Sequence, residues 1–487
     1  VPDVPGAGML PTKLCRDRAR GVPDLLPWAA LVDDGVVLNK DGALLAGFFY
    51  RGPDIASSTP EERNHLTARV NAALARLGSG WATWHDAVRL RSAAYPAPEL
   101  SHFPDPVTRM IDRERRRQFT TEGAHFESEY ALTLAYTPPV RRRERLSDLI
   151  YDDDAARPAT ARRPRRRRGA SGGEDGYATR QLALFQRALD DLEDALGDVV
   201  RLRRMRGYEV TDGAGRPRLY DELVTYLHFC LTGDMAPVAV PAAPMYLDAY
   251  LGGQELWPGD TPRIGDRFVC CVALEGFPGE SYPGILDVLD HLAVPYRWST
   301  RMVYLDQHEA LADLHRYRRH WRQKSRGFWS QVFRTQGGVL NEDALHMARQ
   351  AEDAITDASS ALVAYGYYTP VIVLLGQPGE ERTALLEQAR LVAREVRREG
   401  FATRVETVNT MEAWLGTLPG HAQPNIRRPL LHTLSLADLL PLASVWPGAE
   451  SNPCPFYPPE SPPLLHAATT GATPFRLNLH VGDVGHT

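Results

Sequence analysis

A phosphate-binding loop of the form G-x-x-x-x-G-K-[ST] needs a lysine directly after a glycine, because that lysine must reach the phosphates its loop cradles. The chain has three lysines, Lys13, Lys40 and Lys324, and they follow Thr12, Asn39 and Gln323. These 487 residues therefore hold no such loop. Gly169-Ala-Ser-Gly-Gly173 has the spacing of a nucleophile elbow. That motif works only between a strand and a helix that hold the serine in a strained turn. Here it lies in an arginine-rich linker, and the match is coincidental. His308-Glu309 opens like a zincin helix, but the second histidine would fall at Ala312. His315 and His320 are five apart and face different sides of a helix. Asp152-Asp153-Asp154 has charge enough for a cation, yet its polar surroundings make it solvated charge. The five cysteines, Cys15, Cys230, Cys270, Cys271 and Cys454, show no metal-ligand spacing. Cys270 and Cys271 are neighbours in a predicted strand and point to opposite faces, so they cannot share a tetrahedral metal. They read as small core residues in a reducing compartment. No catalytic, cofactor-binding or metal-binding residue is assigned within the chain.

Charge patterning is more informative. Leu311, Leu314, Tyr317, Trp321, Phe328 and Val332 form an apolar stripe at three- and four-residue steps. Arg316, Arg319, Arg322, Lys324 and Arg326 occupy much of the rest. A basic helix of this kind can lie on an anionic membrane or grip phosphates, so these residues, with Trp321, are the predicted membrane or partner contact. The alternative is a core-packed helix with a solvated basic face. The tract Arg165–Arg168 could also touch nucleic acid or lipid, or be plain linker. The net charge of −5 supplies no global attraction to a polyanion. Abundant arginine with scarce lysine fits a GC-rich bacterial genome.

These residues must be positioned by more than one folded unit, since 487 residues exceed a single core. The first 24 residues read as a loose arm, and 25–139 as a first α/β unit. That unit contains a hairpin (Trp28 to Leu38, then Ala43 to Arg51), a helix from Thr59 to about Leu77, strands at 81–90 and 126–136, and a charged helix at 106–121. Residues 140–176 read as a flexible arginine-rich insertion. The first unit continues over 177–265, with a helix at 180–196, a strand near 199–210 and a helix near 219–231. Residues 266–408 alternate strand and helix in the order of a ferredoxin-like split unit. Its elements are strands at 268–274, 296–305, 367–375 and 401–408 and helices at 285–292 and 380–398. A helical insertion at 307–364 interrupts it, with helices over 307–333 and 341–364. A connector spans 409–470, beginning with a short helix capped by Thr410. The fold class is α+β, with mixed sheets and helices. No window of 18 uncharged apolar residues occurs, because Leu430 to Trp446 is broken by His432, Asp438 and Pro441. The first 30 residues lack the pattern of a signal peptide. The expected location is cytoplasmic, with peripheral membrane contact open.

At the end, the strand-like run Phe475-Arg-Leu-Asn-Leu-His-Val481 leads into Gly482-Asp-Val-Gly-His-Thr487. In nucleotide-driven motors a strand and glycine-rich turn of this kind precede the phosphate loop. Residues 471–487 thus read as the start of a truncated RecA-like motor, with 475–481 left as an unpaired edge. The start at Val1 likewise reads as truncated.

Several segments, in order, resemble the CagE/TrbE/VirB family of type IV secretion, in particular its TrbE conjugal-transfer ATPases. They are Leu26-Pro-Trp-Ala-Ala30, Val36-Val-Leu-Asn-Lys-Asp-Gly42, Phe49-Tyr-Arg-Gly-Pro-Asp54, Leu77-Gly-Ser-Gly-Trp81 and Ala124-His-Phe-Glu-Ser128, then Trp414-Leu-Gly-Thr-Leu-Pro-Gly420, Arg427-Arg428-Pro429, Gly471-Ala-Thr-Pro-Phe475 and Val481 to Thr487. The resemblance implies an ATPase at the inner-membrane base of a conjugation machine, energising pilus assembly and DNA transfer. It implies ATP and Mg for the full-length family, other secretion subunits as partners and a homo-oligomer. No catalytic residue carries over. The expected role is amino-terminal docking and regulation on the cytoplasmic face of the inner membrane. Trp414, Arg427 and Arg428 are expected, from position, to couple this region to a motor. The alternative is a stand-alone nucleic-acid-binding protein using its arginine-rich segments, with affinity that falls steeply with salt.

Overall fold

The computed structural model describes residues 21–138, 175–316, 362–423 and 429–485, apart from isolated positions within them. Its sheet opens with β1 (Trp28–Asp33) and β2 (Val36–Asn39), which turn at Gly35 with φ 65°. A Cβ there would lie 2.1 Å from the Met205 carbonyl oxygen. The strand expected over 28–38 is split at this point, because Asp33-Asp34-Gly35 favours a tight reversal. β3 (Leu44–Arg51) follows the turn at 39–42. α1 (Pro60–Leu74) starts with the capping box of Thr59 and Glu62, each side chain accepting from the other's backbone N–H. β4 (Trp81–Arg91), α2 (Pro106–Thr121), β5 (Phe126–Tyr136), α3 (Asp175–Gly197) and β6 (Arg201–Arg204) follow. On α3, Phe185, Leu189, Leu192 and Leu196 are buried in one stripe.

The strand expected through Val210 is instead β6 and a separate ribbon, β7 (Gly207–Thr211) with β8 (Pro217–Asp221). The next helix, α4 (Glu222–Thr232), begins later than the expected 219 because Asp221 accepts from the Val224 N–H as its N-cap. Then come β9 (Leu256–Trp257), β10 (Arg263–Ile264), β11 (Arg267–Gly276), β12 (Tyr296–Leu305), β13 (Tyr365–Leu375), α5 (Arg382–Arg398) and β14 (Ala402–Val405). The helix expected at 285–292 is only a 3-10 turn, Asp287–His291. Pro283-Gly284 and Pro295 bracket too few residues to propagate an α-helix. Residues 307–316 are helical. The helix expected over 341–364 does not reach its predicted end, because 362–364 are bend and coil leading into β13, and the remainder of the two expected helices falls outside the described residues.

β3 to β6 form the sheet order β6-β3-β5-β4, and β11 to β14 form β14-β11-β13-β12, all antiparallel. Each is a four-strand set whose first and third strands are central and whose second and fourth are outer. β4 pairs antiparallel with β12, from Ala82↔Val303 to Arg89↔Tyr296, which joins the two sets into one continuous sheet. A meander leads into each set, β1-β2 into β3 and β9-β10 into β11. The helical layer of both sets lies on one face, where α1, α3 and α5 share a core with α7 (Thr433–Leu439). The other face is covered by α4, by α6 (Thr410–Gly416), and by the one-turn helices Val22–Leu25 and Leu247–Leu251. Cys270 belongs to the first core and its neighbour Cys271 to the second. The arrangement is α+β, as expected.

α6 takes Asn409 as its N-cap residue and Thr410 as its first helical residue, one position earlier than expected. The final strands are β15 (Leu430–His432), which joins β13, then β16 (Leu465–Ala467), β17 (Phe475–Leu477), β18 (His480–Val481) and β19 (Val484–Gly485). The run expected as one strand over 475–481 breaks at Asn478-Leu479. β17 pairs with β16 and β18 with β19, so the expected unpaired edge has neighbours.

Candidate coupling site at the seam between the halves

The β4–β12 seam carries charged residues where its neighbours are apolar. Alternation along a strand puts Trp84 and Asp86 of β4 on the same face as Arg297 and Arg301 of β12. Asp86 and Arg297 form an ion pair of 3.1 Å with side chains 1% and 2% exposed. The Tyr226 hydroxyl of α4 donates to the same Asp86 oxygen at 2.5 Å. Burial works against the Arg297 charge, but the Cys230 thiol, Asp86 and Tyr226 outweigh it and hold its pKa above the ordinary value. Burial also raises the Tyr226 hydroxyl well above its usual range, with Asp86 adding to the effect. On the other face of β4, burial pushes His85 down to about 3, so this seam histidine is neutral at ordinary pH.

Arg297 does more than pair. Its Nη1 donates to the Thr417 carbonyl at 2.8 Å and its Nη2 to the Thr417 hydroxyl at 2.6 Å. Neighbouring carbonyls are held in the same way. Trp84 Nε1 donates to Gly416 O (3.1 Å), Trp28 Nε1 to Pro419 O (2.8 Å) and Arg301 Nη1 to His421 O (2.8 Å). The end of a helix leaves carbonyls without intrahelical partners. After α6 those groups, and the carbonyls just beyond, are satisfied by side chains from β1 and β4 of the first half and β12 of the second. His421 bonds through Nε2 to Leu25 O at 2.7 Å, and burial brings its pKa down to about 4.

The chain then changes faces. α7 lies in the first core, where Asp438 accepts from Thr67 of α1 (3.0 Å) and from Ser281 of the second half (2.6 Å). Thr433 donates to Asn71 of α1 at 2.6 Å. Residues 416–421 and 433–438 thus fasten both halves on both faces of the sheet. Beyond them the chain returns to the first half. Tyr50 donates to Pro441 O (3.0 Å), Phe126 N–H to Ala472 O (2.9 Å), and Arg476 binds both carboxylate oxygens of Glu127 at 2.5 and 2.7 Å.

Of the residues singled out from sequence, Trp414 is fully buried on the second face, in the helix whose end the seam grips. Arg316 is 70% exposed and pairs with Asp313 at 3.0 Å, away from the seam. Arg319, Trp321, Arg322, Lys324, Arg326, Arg427 and Arg428 lie outside the described residues. Trp28, Trp84, Asp86, Tyr226, Arg297 and Arg301 were not singled out. The available signal was a charge at Asp86, Arg297 and Arg301 inside strands otherwise rich in aromatic and β-branched residues.

The model for the N-terminal domain of the type IV secretion system ATPase VirB4/TrbE matches residues 35–144, which include β4 and β5. The model for the CagE, TrbE, VirB family, component of type IV transporter system, matches residues 213–427, which include β12 and the gripped segment. A probable conjugal transfer protein TrbE segment of Sinorhizobium fredii is 51% identical over 127 residues, 26% of this chain and 85% of that protein. The chain belongs to the CagE/TrbE/VirB family. It is also 48% identical over 480 residues to the conjugal transfer protein TrbE of Rhizobium radiobacter, covering 98% of this chain and 56% of that relative. The chain therefore spans little more than half the length of that TrbE protein. A type IV secretion system protein PtlC homolog of Bordetella bronchiseptica is 24% identical over 382 residues, 75% of this chain and 42% of that protein. Among the described residues of this family member, no helix is long and apolar enough to cross a membrane. Nor does any group of three or more His, Cys, Asp or Glu side chains there have the placement to hold a metal ion.

Proposed function

We propose that this chain is the docking and regulatory region of a TrbE-type secretion ATPase, which energises pilus assembly and DNA transfer. The observation that carries the proposal is the gripped segment 416–421, fastened by side chains of both halves. A segment held this way moves only if the two halves move, so it suits a part that transmits force or reports position. In this reading ATP and Mg are handled by motor residues that these 487 do not include, because no lysine here follows a glycine. The last strands, bound to β5 through Arg476 and Glu127, lead toward that motor. The two four-strand sets are ferredoxin-like split units, a reading supported by their strand order.

Trp414, with Arg427 and Arg428, couples this region to the motor. Arg316, Arg319, Trp321, Arg322, Lys324 and Arg326 form a contact surface for the membrane or other secretion subunits. The region works on the cytoplasmic face of the inner membrane, and the full-length protein assembles as a homo-oligomer. ATP binding and hydrolysis by this chain, measured beside a version extended through the motor region of its relatives, test the proposal. Activity in the extended protein alone is the expected result. Hydrolysis by the short chain would overturn it.

A further inference from the structure

α2 is anchored on one side only. Asp112 accepts from the Tyr95 hydroxyl (3.0 Å) and from Arg116 Nη2 (2.7 Å), and Arg116 Nε donates to Pro96 O (3.0 Å). The Arg116 guanidinium lies over the Tyr95 ring, and Phe119 stacks on His125 with centroids 3.7 Å apart. The opposite side is bare. Val107, Met110 and Ile111 are 57%, 61% and 50% exposed, and their spacing of three and four residues aligns them in one stripe. At about 100° per residue, Arg115 lies on one flank of this stripe and Arg113 and Arg117 on the other, while Glu114 continues the stripe one turn on and is paired there with Arg117. Arg109, Arg113 and Arg115 make no ion pair among the described residues, while Arg117 pairs with Glu114 at the surface.

We propose that this outward face of α2 docks on an anionic lipid bilayer. An aliphatic patch flanked by guanidinium groups, with the one acid in line with it, Glu114, neutralised by Arg117, matches the boundary between acyl chains and acidic headgroups. Other occupants fit less well. A second copy of the helix would bring the same arginines face to face, and a nucleic acid would leave the three aliphatic side chains in water. Among the described residues no helix spans a bilayer, so the contact is peripheral. The inference rests on the docking role proposed above and adds the face of α2 to the surfaces that perform it.

Sedimentation of the whole chain with vesicles tests the idea, comparing phosphatidylcholine alone with a phosphatidylcholine–phosphatidylglycerol mixture. The wild type is expected to bind the mixed vesicles. Met110→Asp with Ile111→Asp should weaken partitioning about tenfold or more, since it removes two apolar anchors and adds like charge to the lipid. Both positions are exposed, so the melting temperature should not change. Arg113→Gln with Arg115→Gln should weaken binding and abolish the preference for anionic lipid. The proposal is overturned if the wild type does not bind, if it binds both vesicles equally, or if the aspartate variant binds like wild type. It is also overturned if neutralising Arg165–Arg168 removes binding while the α2 variants do not. The readout uses neither ATP hydrolysis nor transfer, so its failure would leave the docking role standing. Failure of the docking role would appear in the hydrolysis comparison instead.

Discussion

In the first half the crossover from β3 to β4 is the 15-residue α1 with its own capping box; in the second, the equivalent crossover from β11 to β12 is a five-residue 3-10 turn. Among the described residues, the second half therefore has one long helix of its own, α5, on the face where the first half has α1 and α3. α7, arriving from later in the chain, adds to that shared layer and bonds through Asp438 to both Thr67 and Ser281. Repeated topology here does not mean repeated sequence or equal self-sufficiency. On this face the first half covers its sheet from within its own four-strand set. Among the described residues, the second draws its remaining support from the seam and from α7.

That contrast is broken most directly at the seam. Arg297→Met leaves Asp86 buried with Tyr226 and frees the Thr417 carbonyl, so it should cost about 3–5 kcal/mol in urea unfolding. It should also separate one transition into two, with the second half unfolding first. Asp86→Leu combined with Arg297→Met should recover part of the loss, because no charge is then stranded. A single-variant cost under ~1 kcal/mol would mean that the halves do not depend on the pair.

Next in size is Asp438→Ala, which removes bonds to both halves at once and should cost about 2 kcal/mol. Thr67→Val should cost ~1 kcal/mol and Ser281→Ala a similar amount. If the triple variant costs no more than Thr67→Val alone, α7 supports only the first half.

The parts of this architecture that were legible in the sequence are those decided locally. α1 was marked by Thr59, Pro60 and Glu62, β4 and β5 by runs of strand residues, and α3 by its leucine stripe. The second set's strand and helix order was legible because β11, α5 and their neighbours alternate clearly. The joining of the sets was not, because the β4–β12 register depends on contacts more than 200 residues apart. The same holds for the site. Trp414 lies in a recognisable segment, but the side chains that hold it in place come from β1, β4, α4 and β12. Only their folded proximity separates Arg297 from the chain's many other arginines.

A smaller effect concerns the first half's contribution to the gripped segment. Trp84→Phe removes the donor to Gly416 O, worth ~1 kcal/mol, together with part of a fully buried ring system, whose loss adds to that cost. Thermal melting would detect it. Hydrogen exchange localises it: faster exchange confined to α6 and residues 417–421 is expected, whereas a change spread over β4 would mean that the lost packing outweighs the lost bond.

The smallest expected effect tests the turn that stands in for a helix in the second half. Burial, with Asp290 nearby, raises the Asp287 carboxyl from 3.8 to about 7, while Arg63 on α1 of the first half pulls it back. A folded-state pKa above the unfolded value means that the native protein holds a proton the unfolded chain has released. Stability from this group is thus fully present at low pH and falls as pH rises from about 4 to about 7. Asp287→Asn should add ~1 kcal/mol at pH 8 and nothing below pH 4, less than the bare shift implies because the side chain is only half-buried. Arg63→Gln should move the same loss of stability to higher pH, since it removes the cation that favours the ionised form. If Arg63→Gln leaves the pH dependence of unfolding unchanged while Asp287→Asn flattens it, the carboxyl titrates within the second half alone. The first half would then reach this turn only through α7 and the seam.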